Sequence, residues 1–261
     1  MAKRLTAKRL TAKRLTAKRL TAKRLTNFKV LTFDTYGTLI DWETGIHTAL
    51  APLLSRAPLS RDAALEQYAA VESAQQAATP AMIYSELLRP VYETLAGQWG
   101  VDASPGEAEA FGNSVKDWPA FADAPAALAA LKQHFKMVTL TNCDRESYKA
   151  SNQRLEIEWD AIYTAQDVGS YKPDHRNFDY LLDHLRADFG FEKGDILHTA
   201  QSLFHDHVPA TAYGLATAWI DRHKDRDGYG ATAPPSGDYR IDFHFDSMAA
   251  LAAAHRQELG E

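Results

Sequence analysis

One stretch near the N-terminus constrains the fold more than any other: residues 28–41, which read FKVLTFDTYGTLID. Its apolar and β-branched residues are typical of a buried strand, and the run ends in Asp34 and a turn at Gly37. We therefore expect Asp34 at the carboxyl end of a parallel strand, where open α/β sheets place their chemistry. The hydroxyl of Thr38 can reach the same site. Asp is also a common turn residue, so this segment alone does not establish a nucleophile.

The residues that follow predict a long helical block, 43–115. Ser60 precedes a strong helix-forming run, Pro80 is predicted to open a second helix at its first position, and Ser104 with Glu107 has the spacing of a capping box. A block of this size between two strands is too long for a simple crossover. We interpret it as a cap inserted into the domain.

Helix and strand patterns alternate in the rest of the chain, which is typical of a parallel sheet. Strands are predicted at 137–141, 161–163, 196–199, 215–220 and 239–245. The Gly- and Pro-rich segment 226–238 predicts a surface loop. The predicted fold class is α/β: a Rossmann-like parallel sheet core, 27–42 and 116–261, with an inserted helical cap, 43–115.

The N-terminal residues 1–26 form a separate extension. Residues 2–26 are five copies of Ala-Lys-Arg-Leu-Thr and hold ten of the 29 basic residues and no acid. A five-residue period spreads the leucines around a helix, so we interpret the extension as a flexible tag or repeat expansion. A polybasic anchor for acidic surfaces is the alternative. The rest of the chain is strongly acidic, which argues against nucleic acid as a partner.

The composition favours a cytoplasmic enzyme. Cys143 is the one cysteine, which excludes an internal disulfide and fits a reducing compartment. No apolar run reaches the ~20 residues that cross a bilayer, and the N-terminus lacks the apolar centre of a secretory signal. We expect a small-molecule substrate, no membrane partner, and a homodimer as the default assembly.

Polar groups also follow three later strands and their loops. Thr141 and Asn142 end one strand, Lys172 lies in a loop that opens a helix, and Asp206 follows the strand at 196–199. A hydroxyl and an amide can bind carboxylate oxygens, and a lysine holds carboxylates ionised. Ordinary capping and turn chemistry is the alternative for each of these residues. His205 and His207 are two residues apart, so in a helix they do not face one metal ion.

The order Asp-x-Tyr-Gly-Thr, Thr-Asn, Lys-Pro and late Asp resembles the haloacid dehalogenase (HAD) superfamily over residues 27–255. It is most similar to the L-2-haloacid dehalogenase subfamily, which has a helical cap after the first motif. The resemblance implies that Asp34 is the nucleophile and that Thr38 supports it. It also implies that Thr141 and Asn142 hold the substrate carboxylate.

By the same resemblance, Lys172 pairs with the carboxylates and Asp206 helps to activate the hydrolytic water. Tyr36, which we place among the substrate-binding residues, discriminates between activities. HAD phosphatases place a second Asp there to protonate the leaving alcohol, whereas a departing halide needs no proton. Magnesium-dependent members have an acid where this chain has Gln201, so we expect no metal and no other cofactor.

The chain departs from the dehalogenase pattern at the cap. No arginine lies where those enzymes bind halide, and Arg61 or Arg89 are the candidates to replace it. Leu203 also stands where the dehalogenases have a polar residue, and Phe178 where they have tyrosine. These differences affect halide recognition and leave the hydrolytic motifs in place.

We therefore predict a metal-independent hydrolase that cleaves the carbon–halogen bond of short 2-haloacids through an aspartyl ester on Asp34. Two alternatives stay open. One is a magnesium-dependent HAD phosphatase or phosphonate hydrolase. The other is a non-catalytic HAD-fold binding protein, which the missing cap arginine would explain.

Overall fold

A parallel β-sheet forms the centre of the molecule. In the computed structural model, which describes residues 23–57, 59–224 and 228–261, the sheet has six strands. They are β1 (Val30–Phe33), β2 (Lys136–Thr141), β3 (Ala161–Thr164), β4 (Ile196–Ala200), β5 (Ala216–Ile220) and β6 (Phe243–Phe245). Their order is β3-β2-β1-β4-β5-β6, and every neighbouring pair is parallel. The predicted α/β Rossmann-like core is confirmed.

Both faces of the sheet are covered, which explains why all four residues of β1 are buried and three of them are apolar. Val30 packs on one face with α-helical side chains that include Phe178, whereas Leu31 and Phe33 join the larger apolar cluster on the other face. Successive side chains of a strand alternate between faces, so a strand buried on both sides has no polar face. The predicted last strand at 239–245 is shorter in the structure and begins at Phe243.

Five helices follow β1 and precede the rest of the core. They are α1 (Trp42–Ala49), α2 (Ala51–Leu54), α3 (Arg61–Ala78), α4 (Tyr84–Gln98) and α5 (Pro105–Gly112). Ser60 caps α3, and Ser104 with Glu107 forms the predicted capping box of α5. The prediction that Pro80 opens a helix is wrong. Thr79 ends α3, Pro80 lies in the following turn, and α4 begins at Tyr84 because a proline after a C-cap ends rather than starts a helix.

The remaining helices pack on the sheet. They are α6 (Ala124–Lys132), α7 (Arg145–Leu155), α8 (Ala165–Val168), α9 (His175–Phe189), α10 (Val208–Ala212) and α11 (Met248–Leu259). The segment that contains Asp206 begins with a wide π-type turn over Leu203–His207, which leads into α10. Ser202 caps this turn through the amide of His205, and Asp206 therefore lies within the turn instead of at its start.

Parts of the N-terminal extension and of the predicted surface loop pack against the rest of the protein. Most of the predicted flexible extension, residues 1–22, lies outside the described residues. Its last residues contact α11: Leu25 is buried and the amide of Thr26 donates to Glu258. In the predicted surface loop, Arg226 is not described, and Ala231 is buried with its amide bonded to Glu43.

No helix among the described residues is long and apolar enough to cross a membrane.

Candidate active site

The site begins at the turn after β1, the strand where the sheet order changes direction. Gly37 has φ +92°, a conformation that L side chains rarely adopt. A Cβ on Gly37 would lie 3.0 Å from Oε1 of Gln201 and 3.1 Å from Nε1 of Trp42. Glycine therefore allows the chain to turn tightly beside Asp34, which is the residue that ends the strand.

Thr38 fixes one oxygen of Asp34. Its hydroxyl donates to Asp34 Oδ2 at 2.6 Å, and it accepts the amide hydrogen of Gln201 at 2.8 Å. Because the amide can only donate, the direction of both hydrogen bonds is determined. The hydroxyl thus orients the Asp34 carboxylate and stabilises its negative charge.

Lys172 connects the two acids of the site. Its ammonium donates to Asp34 Oδ1 at 2.9 Å, to Asp206 Oδ1 at 2.7 Å and to the carbonyl of Leu140 at 2.8 Å. The ammonium group has three hydrogens, and each of them has an acceptor. Lys172 is 1% exposed, so these bonds form in a low-dielectric environment where they hold the carboxylates firmly in place.

Sequence reasoning missed His198, which extends this network. Its Nε2 lies 3.0 Å from Asp206 Oδ1, and its Nδ1 lies 2.8 Å from the hydroxyl of Thr32. Asp206 Oδ2 has no hydrogen-bond partner among the described residues. The available signal was a histidine within an apolar strand, since a buried polar side chain needs a partner.

Burial and charge shift the pKa values of these groups in different directions. Burial raises the pKa of Asp34 above its ordinary value, and the Lys172 ammonium offsets only part of this effect. Burial alone would also raise the pKa of Asp206, but Lys172 and His198 hold it below its ordinary value. The two acids raise the pKa of Lys172 despite its burial. The lysine therefore stays protonated and Asp206 ionised, and Asp34 is the acid that accepts a proton first.

The predicted substrate-binding residues lie in different surroundings. The side-chain amide of Asn142 donates to the Lys172 carbonyl at 2.9 Å and accepts from its amide at 2.6 Å, so it holds the lysine loop. The Tyr36 hydroxyl lies 2.9 Å from Ser151 Oγ, and burial raises its pKa well above 10. The hydroxyl of Thr141 is buried without a partner among the described residues. The role of these residues in substrate binding stays a prediction.

A small cavity, partly open to solvent, lies over Asp34. The core contributes Asp34, Tyr36, Asn142, Lys172 and His205 to its lining. The helices α1 to α5 form the opposite side of the cavity, called the cap side here, and contribute Trp42 of α1, Glu72 of α3 and Tyr84 of α4. Thr38 and Asp206 reach the site through their hydrogen bonds to Asp34 and Lys172, whereas Thr141 does not line this cavity.

Glu72 is the second residue that sequence reasoning missed. The Tyr84 hydroxyl donates to its Oε1 at 2.9 Å, and the Tyr68 hydroxyl lies 3.0 Å from that of Tyr84. Burial raises the pKa of Glu72 to about 7, although both phenols lower it. Arg61 instead donates to Thr44, and Arg89 is exposed, so neither lines this cavity.

Burial shifts the pKa values of Cys143 and His205, the two remaining candidates for nucleophilic or metal chemistry. Burial raises the pKa of the Cys143 thiol, which leaves it unreactive. His205 lines the cavity, its Nδ1 lies 3.1 Å from Ser202 Oγ, and its Nε2 has no partner among the described residues. Burial lowers the pKa of His205 to about 4, so the ring is neutral near pH 7.

A family comparison agrees with this arrangement of motifs. The model of the haloacid dehalogenase-like hydrolases matches residues 28–198. The chain belongs to this family. The matched region begins before β1 and ends within β4, so it contains Asp34, Thr38 and Lys172. No curated protein matches the chain in sequence.

Solved structures with the same fold include haloacid dehalogenases. The defluorinating L-2-haloacid dehalogenase Rha0230 is 22% identical, with a TM-score of 0.67 over 90% of this chain and 98% of its own. The L-2-haloacid dehalogenase from Xanthobacter autotrophicus with chloropropionic acid covalently bound is 16% identical, with a TM-score of 0.68. The match covers 88% of this chain and 98% of that dehalogenase. The putative HAD-hydrolase YfnB from Bacillus subtilis, bound to magnesium, is 19% identical, with a TM-score of 0.68. The match covers 90% of this chain and 100% of YfnB. At these identities the likeness concerns the fold.

The side chains of the site do not fit a magnesium ion. Magnesium prefers anionic oxygen ligands in an octahedral arrangement. Here one oxygen of Asp34 and one of Asp206 are already bonded to the Lys172 ammonium, and Gln201 and Tyr36 are neutral. Among the described residues, no group of three acidic, histidine or cysteine side chains is arranged to hold a metal.

Proposed function

We propose that this hydrolase displaces halide from short 2-haloacids through an ester intermediate on Asp34, without a metal. The observation that carries the proposal is the ammonium of Lys172, which bonds Asp34, Asp206 and a backbone carbonyl at once. Its charge favours the anionic form of Asp34, which a carboxylate nucleophile requires, and offsets part of the effect of burial. The tyrosine at position 36, bonded to Ser151, supplies no acid for an alcohol leaving group.

In the first step, an oxygen of Asp34 attacks the carbon that bears the halogen. The new carbon–oxygen bond forms as the carbon–halogen bond breaks, and the halide leaves with the bonding electrons. Thr38 and Lys172 each hold one oxygen of the carboxylate, so the nucleophile is oriented before the substrate arrives. In this proposal Thr141 and Asn142 lie near the substrate carboxylate.

In the second step, water attacks the carboxyl carbon of Asp34 and releases the 2-hydroxyacid. The developing oxyanion lies within reach of the Thr38 hydroxyl or the Lys172 ammonium, which already bond this carboxyl group. Asp206 has an unpartnered oxygen, Oδ2, that can accept a hydrogen bond from the water. Its lowered pKa suits it to orienting water rather than to storing a proton.

The neighbours support the class of substrate. One is described as a defluorinating L-2-haloacid dehalogenase, and another carries chloropropionic acid covalently bound. The buried, reduced Cys143 agrees with activity in the cytoplasm. A magnesium-dependent phosphatase is the competing function, since one neighbour binds magnesium.

The test is halide and 2-hydroxyacid release from chloroacetate, fluoroacetate and 2-chloropropionate, with and without EDTA. Asp34→Asn should abolish turnover and keep the unfolding midpoint close to that of the parent, whereas Asp174→Asn, an exposed acid at the start of α9, should stay active. In heavy-oxygen water, a single turnover should label Asp34 before it labels product. Phosphate ester cleavage that EDTA removes, or full turnover by Asp34→Asn, would refute the proposal.

A further inference from the structure

The cap side of the cavity determines what can receive the leaving group. In a displacement reaction the leaving atom departs on the side opposite to the nucleophile. Asp34 lies on the core side, so the halide departs towards the cap helices. There the cavity is lined by Trp42, Glu72 and Tyr84, and no described arginine or lysine of the cap lines it.

A carboxyl group in this position can help a departing anion only when it is neutral. An ionised Glu72 would repel the halide, whereas its neutral form presents a hydrogen-bond donor. The Tyr84 hydroxyl donates to Glu72 Oε1, so this oxygen is an acceptor and the acidic proton of a neutral Glu72 lies on Oε2. Trp42 lines the same side of the cavity.

Burial favours the neutral form of Glu72, although hydrogen bonds from Tyr84 and Tyr68 favour the ionised form. Tyr68 on the same helix and Tyr84 on α4 are neutral phenols, and Tyr171 packs against Tyr84. Burial raises the pKa of all three phenols. Across the cavity, the charged or titratable lining groups are Asp34, Tyr36, Lys172 and His205. Tyr36 and His205 are neutral near pH 7. Burial without a cap cation raises the pKa of Glu72 to about 7.

Resting on the proposed function, we propose that Glu72, as a neutral acid, donates a hydrogen bond to the departing halide and thereby adapts this site to fluoride. Fluoride is the smallest and most charge-dense halide, and it accepts the strongest hydrogen bonds from neutral donors. Larger halides gain less from such donors. A cap that replaces a cation with a neutral acid therefore favours the substrate whose leaving atom is fluorine.

The step balances without a further reactant. Asp34 forms the carbon–oxygen bond, the carbon–fluorine bond breaks, and fluorine leaves as fluoride with the electron pair. Hydrogen fluoride is a stronger acid than a carboxyl group with a pKa near 7, so the proton stays on Glu72 and is only shared. Water then supplies one oxygen of the regenerated Asp34 carboxylate and the hydroxyl hydrogen of the product. The remaining proton goes to solvent.

Fluoroacetate and chloroacetate test this proposal directly, because both give the same ester on Asp34. Any difference between them therefore arises in the halide displacement step, which kcat/KM reports. In Glu72→Ala, kcat/KM for fluoroacetate should fall by about tenfold to a hundredfold, since hydrogen bonds to charged groups have this value. The value for chloroacetate should fall much less. Glu66→Gln, an exposed acid on the same helix, is the matched control and should match the parent.

The pH dependence separates a chemical role from a structural one. For the parent, kcat/KM with fluoroacetate should fall as the pH rises through about 7, because the neutral form of Glu72 is lost. Glu72→Gln keeps a donor that does not titrate, so this fall should disappear. An equal loss for both substrates in Glu72→Ala, or an unchanged fall in Glu72→Gln, would overturn the proposal. If neither substrate releases halide in the parent, the proposed function itself fails.

Discussion

Replacing Lys172 with methionine would leave two buried carboxylates without the ammonium they share. Asp34 is 6% exposed and Asp206 0%, so water cannot replace the lost bonds. Removing one partner of a buried ion pair costs about 3–5 kcal/mol of unfolding free energy. Because this lysine serves two acids, we expect Lys172→Met to lose an amount in the upper part of that range near neutral pH.

The sign of the pH dependence follows from the pKa shifts. In the parent, the pKa of Asp206 lies below its unfolded value, so its stabilisation is present above about pH 4 and is lost as the pH falls. In Lys172→Met, burial raises the folded pKa values of both acids above the unfolded value. The folded variant then binds more protons than the unfolded chain, and its stability falls as the pH rises. The deficit should therefore be largest near neutral pH and shrink towards about pH 5.

Urea unfolding near neutral pH and at about pH 5 measures how much unfolding free energy Lys172→Met loses relative to the parent. Lys149→Met, which removes an exposed lysine of α7, should stay within about 0.5 kcal/mol of the parent. Adding Asp206→Asn to Lys172→Met should recover part of the lost free energy, because one uncompensated charge is removed. A Lys172→Met protein as stable as the parent at neutral pH, or a deficit that does not change with pH, would refute the reasoning.

Two further predictions concern the turn after β1. Thr38→Val removes the hydrogen bond that lowers the pKa of Asp34, so kcat/KM should fall about tenfold or more, and the acidic limb of its pH profile should move to higher pH. If the acidic limb of the kcat/KM profile stays at the same pH, Asp34 is not the group whose titration it reports. Gly37→Ala places a Cβ in a left-handed conformation against Gln201, which should cost at least about 1 kcal/mol in urea unfolding. Parent-like stability would contradict the strained geometry.

The sheet and the residues at its strand ends could be predicted from sequence for a definite reason. Strands buried on both faces are mostly apolar. Asp34 and Asn142 directly follow two of them, and Asp206 lies in the turn after a third. Parallel strands bring those ends to one edge of the sheet, so residues distant in sequence can be predicted to share one site. Helix boundaries were less predictable: Pro80 fits both the start of one helix and the turn after another, and only the end of α3 at Thr79 decides between them.

The sequence by itself determined the fold class, the family motifs and the acid–lysine pair, because these depend on local patterns and on their order along the chain. Only the tertiary structure decided what faces Asp34 across the cavity. Glu72 and Tyr84 come from different cap helices, and His198 lies inside a strand, so no local pattern relates them to the nucleophile. Their protonation and hydrogen bonds depend on burial by residues distant in sequence, and burial is a property of the packed molecule.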